Sequence, residues 1–183
     1  MTALTINYIF IAIFSALIIF AAIEDVRRFI IPNWIPASIT VLFLLAVSYS
    51  SYSGSPIFPT SVWVNLLTFA GVLIFFTILF ATGQMGGGDV KLIASISLWT
   101  GPYFVFDFVL ITALVGGVLA AVQLVRNGQA VKADAVESVA GDISAEQSDT
   151  LKSTQQKAVP YGLAIGFGGL YCAQQLFNQL NLN

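Results

Sequence analysis

Two aspartates, Asp25 and Asp89, are the residues of this sequence best suited to chemistry. Asp25 ends an apolar run, and Asp89 follows three consecutive glycines at the start of another. The sequence contains no histidine and one cysteine, Cys172, which is predicted to be a small buried or lipid-facing side chain. This composition excludes Ser-His and Cys-His catalysis, histidine metal sites and an internal disulfide. The remaining chemistry depends mainly on carboxylates, hydroxyls and lysines.

The chemistry expected of two such acids is peptide hydrolysis. Two carboxylates that lie close together cannot both ionise at low cost, so they share a proton. The pair can then hold a water molecule while one acid accepts a proton and the other donates one. Because this arrangement needs neither a metal nor a histidine, we expect no cofactor.

Each of these features also has a simpler interpretation. Asp25 can pair with Arg28, which lies three residues further along the same helix face. Asp89 can be an acid favoured by the dipole at a helix N-terminus. The glycines can form a tight turn or a close helix contact, and Gly83 and Gly87 have the small-xxx-small spacing. A phosphate-binding loop is excluded because the sequence has neither GK[ST] after the glycines nor GxGxxG.

The composition predicts that a membrane surrounds these residues. Hydrophobic residues make up 57% of the 183 residues and charged residues 9%, whereas a soluble domain has about a quarter charged residues. We predict one all-α domain over residues 1–183, a bundle of six transmembrane helices. Their apolar runs lie at about residues 6–23, 34–50, 61–82, 90–101, 103–125 and 159–180.

The fourth run is too short for a full crossing. Its helix must begin upstream, within the glycines, or span the bilayer incompletely. Gly101 and Pro102 separate it from the fifth run, because proline can begin a helix but cannot continue one.

The basic residues predict the orientation of the helices. With six crossings, all seven fall on one side, which should be cytoplasmic: Arg27, Arg28, Lys91, Arg126, Lys132, Lys152 and Lys157. Both termini then lie outside. Asp25 and Asp89 lie at the same depth in the membrane, near the cytoplasmic face. Aromatic side chains agree, since Trp63, Trp99 and Tyr103 fall near the outer boundary.

The polar segment at residues 126–158 is predicted to be a flexible cytoplasmic loop between the fifth and sixth helices. It carries five of the nine acidic residues and four of the seven basic ones. The formal net charge of the whole chain is -2. A charge this small gives no indication of a nucleic-acid partner.

Three motifs in order resemble the type IV prepilin peptidases. Residues 86–89 read GGGD, a GxGD motif, and are followed by VKL. Residues 25–33 read DVRRFIIPN and resemble the "D…R…IPN" segment of that family. Residues 159–165 read VPYGLAI and resemble the "PYG.AI" opening of a late helix. The GxGD motif alone is weak, but the set of three is specific and covers most of the membrane core.

The resemblance implies an aspartic endopeptidase of the bacterial inner membrane that cleaves the leader of prepilins or pseudopilins at the cytoplasmic face. By motif match, Asp25 and Asp89 are its catalytic pair. The partners implied are this substrate and the lipid bilayer. The candidate residues for substrate binding are Pro32, Asn33, Gly86, Gly87, Gly88, Lys91, Pro160 and Tyr161.

In its small size the chain resembles the short branch of the family that serves tight-adherence (Flp-type) pili, or a general short prepilin peptidase. Larger members carry an extra domain with paired CxxC motifs and methylate the new N-terminus. That domain is missing here, so methylation is not carried over. Presenilin-like proteases also use GxGD, but their YD and PAL motifs are not matched by this sequence.

Two hypotheses without catalysis remain. A small proton- or cation-coupled transporter would use the same acids, but it predicts acids deep within helices and repeated halves. Neither feature is evident in the sequence. The second hypothesis is a pilus-assembly scaffold that has kept the fold without the activity. Only an assay distinguishes such a scaffold from an enzyme.

Overall fold

The computed structural model describes residues 2–83, 85–137 and 161–182, which form helices joined by short connections. These residues contain no strand, which confirms the all-α prediction. The helices are α1 (Thr2–Arg28), α2 (Trp34–Ser53), α3 (Val62–Ala81), α4 (Gly87–Glu137) and α5 (Tyr161–Leu182). Within the same residues, α1 to α4 are long and apolar enough to cross a membrane.

The longest helix, α4, consists of two arms that meet at Gly101. The backbone there is not helical, with φ 54° and ψ -168°. We call residues 87–100 arm α4a and residues 102–137 arm α4b. A positive φ favours glycine, and a Cβ on Gly101 would lie 2.7 Å from the Asn65 Oδ1 atom. Pro102 then starts α4b, where its missing N–H leaves no helical hydrogen bond unmade.

The contacts of α5 show that the two arms run in opposite directions. Residues further along α4a contact residues further along α5. Asp89 lies level with the start of α5, and Ile96 lies against Gly169. Along α4b the order is reversed, in the pairs Phe104–Cys172, Phe108–Gly168 and Gly116–Ala164. The fourth and fifth apolar runs therefore form two helical arms that reverse direction at Gly101. The described residues contain five continuous helical elements, so the predicted count of six is not confirmed.

The helix α4 also extends beyond its predicted end. Residues 126–137, predicted to begin the polar loop, continue α4b as far as Glu137. This stretch is rich in alanine and includes lysine and glutamate, which all favour helix. The rest of the predicted loop, residues 138–158, lies outside the described residues.

The core at the end of the bundle away from the two aspartates is built on Trp99. Its side chain is 1% exposed. The ring stacks on Phe14 at 4.4 Å and meets Phe58 edge-on at 5.6 Å, and its indole N–H donates to the Ile39 carbonyl at 3.2 Å. Trp99, which was expected near the outer boundary together with Trp63, is buried beneath the α2–α3 connection and does not face lipid. Trp63, by contrast, is 77% exposed, as expected of a belt residue.

Helices α1 and α5 pack antiparallel along a line of glycines. From the end of α1 towards its start, the pairs are Asp25–Gly162, Ala22–Gly166 and Ile18–Gly169. A Cβ on Gly166 would lie 3.0 Å from the Ala22 Cβ, so the backbones approach more closely than two larger residues would allow. This packing brings the N-terminus of α5 directly to Asp25.

Candidate active site

The carboxylate of Asp25 is held by the N-terminus of α5. Asp25 lies one turn before the end of α1 and is 5% exposed. The backbone N–H of Gly162 donates to its Oδ2 atom at 2.7 Å, and the N–H of Leu163 bonds to the same side chain. The first N–H groups of a helix have no partner within the helix. Asp25 therefore supplies from α1 the cap that α5 lacks in its own sequence.

This contact requires glycine at position 162. A Cβ there would lie 2.7 Å from both the Cβ and the Cγ atoms of Asp25, and 2.8 Å from its Oδ2 atom. Carbon atoms in contact are ordinarily about 3.5 to 4.0 Å apart. Sequence analysis missed this residue as part of the site, although it lies within the PYG motif. The motif does not indicate which side chain on another helix needs the space.

Asp89 lies in the first turn of α4 and caps the start of its own helix. Its side chain accepts the backbone N–H of Gly86, while the carbonyl of Gly86 accepts the N–H of Val90 at 3.2 Å. An acid that reaches back to the capping residue three positions earlier is half of a capping box. The helix begins at Gly87, which confirms that the fourth helix starts within the glycine stretch.

Asp25 and Asp89 line the same cleft, which has a volume of about 260 Å³. They come from parts of the chain 64 positions apart, yet the charge of Asp25 acts directly on Asp89. The cleft is also lined by Gly86, Gly87, Gly88, Phe29, Ile30 and Ile31. In the part of the chain that the structure describes, no three acidic, cysteine or histidine residues are grouped as metal ligands. Among the described residues that line the cleft, the polar side chains are the carboxylates of Asp25 and Asp89.

The three glycines before Asp89 each make room for a side chain of the protein. A Cβ on Gly86 would lie 3.0 Å from the Asp89 Oδ2 atom, and one on Gly87 would lie 3.3 Å from the Phe80 ring. On Gly88 it would lie 3.2 Å from the Ile31 Cβ. The structure thus supports the simpler interpretation of close packing at these positions. Gly86 is the most exposed of the three and leaves the cleft open beside Asp89.

The segment that joins α1 to α2 forms the other side of the cleft through Phe29, Ile30 and Ile31. The sequence-based candidates from this segment were Pro32 and Asn33 instead. Phe29 has a positive φ of 53° and donates its N–H to the Asp25 carbonyl at 2.8 Å. Ile31 is buried, whereas the side chains of Phe29 and Ile30 are exposed. A left-handed residue that ends a helix is usually glycine or asparagine. No sequence signal therefore predicted this turn at a phenylalanine.

The simpler interpretation of Asp25, an ion pair with Arg28, was wrong. The Nε atom of Arg28 lies 3.1 Å from the Oε2 atom of Glu24, one helical turn earlier. Arg28 and Glu24 are four positions apart, the spacing that brings side chains together on a helix. The carboxylate of Asp25 instead faces α5 and the cleft.

Lys91 and Asn33 lie together outside the cleft lining. The Lys91 ammonium donates to the Asn33 Oδ1 atom at 2.9 Å, and both side chains are exposed. Pro32 precedes them in a turn in which its carbonyl accepts the N–H of Ile35 at 3.1 Å. These contacts tie the start of α2 to the start of α4.

Tyr161 is directed away from the cleft. Its ring lies against Gly116 of α4b, where a Cβ would be 3.6 Å from two ring carbons. The tyrosine is absent from the residues that line the cleft. Pro160, the other candidate from this motif, lies outside the described residues.

Comparison with known proteins identifies the family. The model of the type IV leader peptidase family matches residues 12–121, which is more than half of the chain and includes both Asp25 and Asp89. Helix α5, with Gly162, lies beyond the matched residues. Neither the comparison with curated proteins nor that with solved structures gave a match. By its family match, the chain belongs to the type IV leader peptidase family.

Proposed function

We propose that this protein is a membrane aspartic endopeptidase that removes the leader peptide of type IV prepilin-like proteins, of the Flp type. The observation that carries the proposal is the cleft shared by Asp25 and Asp89. The family match supports a peptidase that acts on leader peptides. Because the whole sequence contains no histidine, the two carboxylates of the cleft are the proposed acid and base.

The proposed reaction uses the two carboxylates with one shared proton. One carboxylate accepts a proton from a bound water, whose oxygen attacks the scissile carbonyl carbon. The other acid gives its proton to the nitrogen of the leaving amine as the C–N bond breaks. The proton taken from water then replaces the one that was donated, so the pair is ready for the next substrate.

We propose that the bundle crosses the inner membrane six times, counting α4a and α4b separately. Arg27, Arg28 and Lys91 lie at the same end as the cleft, and the positive-inside preference assigns this end to the cytoplasm. Arm α4a has a rise of about 21 Å, less than the roughly 30 Å of a hydrocarbon core. A helix this short places Asp89 below the membrane surface, where the substrate's basic leader meets its apolar segment.

The proposal is tested by co-expression with a Flp-type prepilin. Asp25→Asn and Asp89→Asn should each leave the leader uncut, since proton transfer by a positioned acid or base contributes about 10² to 10⁴ in rate. Asp107→Asn is the matched control, because Asp107 is an exposed aspartate far from the cleft. Normal processing by either cleft variant would rule out the pair. A wild-type protein that cuts no prepilin would favour the transporter or scaffold.

A further inference from the structure

An apolar groove follows the seam between α1 and α5. Its half nearer the cleft has a volume of about 300 Å³ and is lined by Ile19, Ile23, Val26, Leu163, Phe167 and Leu170, among others. Its distant half has a volume of about 410 Å³ and is lined by residues that include Tyr8, Ala12, Leu170, Ala173 and Phe177. Because Leu170 belongs to both halves, we treat them as one feature, the α1–α5 groove.

The groove is long enough to cross a bilayer. On α1 it extends from Tyr8 to Arg27, a rise of about 28 Å at 1.5 Å per residue. The hydrocarbon core of a bilayer is about 30 Å thick. A single lipid chain occupies one leaflet, about half of that thickness, whereas an apolar helix of about 20 residues matches all of it.

The groove begins beside Asp25. Val26 and Leu163 line its near end. They directly follow Asp25 and Gly162 in the sequence, and these two residues share a hydrogen bond. Asp25 itself lines the cleft, so the near end of the groove adjoins the cleft. A peptide that leaves the cleft past Asp25 therefore meets the groove within one residue of the carboxylate.

We propose that the α1–α5 groove binds the apolar transmembrane helix of the substrate, on the C-terminal side of the scissile bond. The inference rests on the proposed function, because it takes the substrate to be a leader peptide followed by an apolar helix. The leader stays at the cytoplasmic end, the scissile bond lies in the cleft, and the helix continues along the groove. The groove then fixes the distance between the membrane-embedded helix and the aspartates.

Disulfide crosslinking tests the position of the substrate helix. The protein carries Asp25→Asn, so that the substrate stays intact, together with either Ile19→Cys in the groove or Ile13→Cys as the control. Both isoleucines are on α1 and are similarly exposed, at 46% and 43%, but Ile13 does not line the groove. The probe is a Flp-type prepilin with one cysteine moved stepwise along its apolar helix. We expect a crosslink at one probe depth with Ile19→Cys and none with Ile13→Cys.

Kinetics provide a second measurement in the active protein. Ile19→Trp narrows the groove and should raise KM for the same prepilin about tenfold, while kcat changes by less than about twofold. Ile13→Trp should leave both constants unchanged.

Three results would overturn the inference. One is equal crosslinking at the two positions, as expected if the groove only meets lipid. Another is a crosslink between two copies of the protein at Ile19→Cys, which would make a second copy the occupant. The third is normal kinetics for Ile19→Trp. Each of these can occur while the wild-type protein still cuts the prepilin, whereas failure of the proposed function removes cleavage itself.

Discussion

Replacement of Gly162 by alanine should displace the carboxylate of Asp25, while every acidic and basic side chain of the protein is retained. The glycine N–H donates to the Asp25 Oδ2 atom at 2.7 Å. An alanine Cβ would lie 2.7 Å from the Cγ atom of that carboxyl group. Because carbon atoms in contact are about 3.5 to 4.0 Å apart, the carboxylate has to move by about 1 Å.

A displacement of this size should greatly slow peptide cleavage. A misplacement of about 1 Å in a catalytic site costs on the order of 10² in rate. We therefore expect kcat/KM of Gly162→Ala to fall about 100-fold. The effect on stability should be smaller, since overpacking costs about 1 to 3 kcal/mol and alanine recovers part of this through its helix propensity.

The assay compares cleavage of a Flp-type prepilin by purified wild-type protein and Gly162→Ala in detergent or liposomes, with thermal unfolding measured on the same samples. Gly117→Ala is the matched control, because a Cβ at Gly117 in α4b has no atom within 4 Å. We expect Gly162→Ala to be folded but slow, and the control to be unaffected. A folded Gly162→Ala that cleaves at the wild-type rate would refute the reasoning.

Three further predictions concern other parts of the molecule. Gly101→Ala should lower the free energy of unfolding, measured by thermal unfolding, by at least about 1 to 2 kcal/mol. The reason is that φ at Gly101 is 54° and the new Cβ meets Asn65. The control Gly71→Ala should leave the free energy of unfolding unchanged, because a Cβ there lies in open space. Lys91→Met removes one exposed hydrogen bond, to Asn33, so prepilin cleavage should change by less than about tenfold. A chelator should leave cleavage unchanged, because the proposed chemistry uses two carboxylates.

Each of these has a result that would contradict it. A Gly101→Ala protein as stable as wild type would show that the arms of α4 do not depend on a glycine. Loss of cleavage in Lys91→Met would contradict this expectation and support the sequence-based prediction that Lys91 binds substrate. Inhibition by a chelator, restored by added metal, would require a different mechanism.

The helices were predictable because a membrane-spanning segment is recognisable from its length and apolar composition. Helices α2 and α3 begin and end close to the predicted runs. The start of α4 at Gly87 is one of the two outcomes that the shortness of the fourth run left open. The faces of these helices were not predictable in the same way. In a bilayer both the core and the lipid-facing surface are apolar, so the sequence did not distinguish buried Trp99 from exposed Trp63.

The pairing of Asp25 and Asp89 in one cleft was predictable because topology and motifs pointed to the same residues. The contacts that hold them were not. The role of Gly162 depends on a distance of 2.7 Å between two helices, and the turn at Phe29 depends on a backbone conformation that phenylalanine rarely adopts. The ring of Tyr161 packs on Gly116 of α4b, and its role in substrate binding stays a prediction.

The central claim, that Asp25 and Asp89 act as one catalytic unit, is tested most directly by a double-mutant cycle on kcat. Prepilin cleavage is measured for Asp25→Asn, Asp89→Asn and the double variant, each confirmed to be folded. Residues that act as a unit have non-additive effects, so each single change should abolish about as much activity as the two together. Losses that add in free energy, or substantial cleavage by either single variant, would contradict the account.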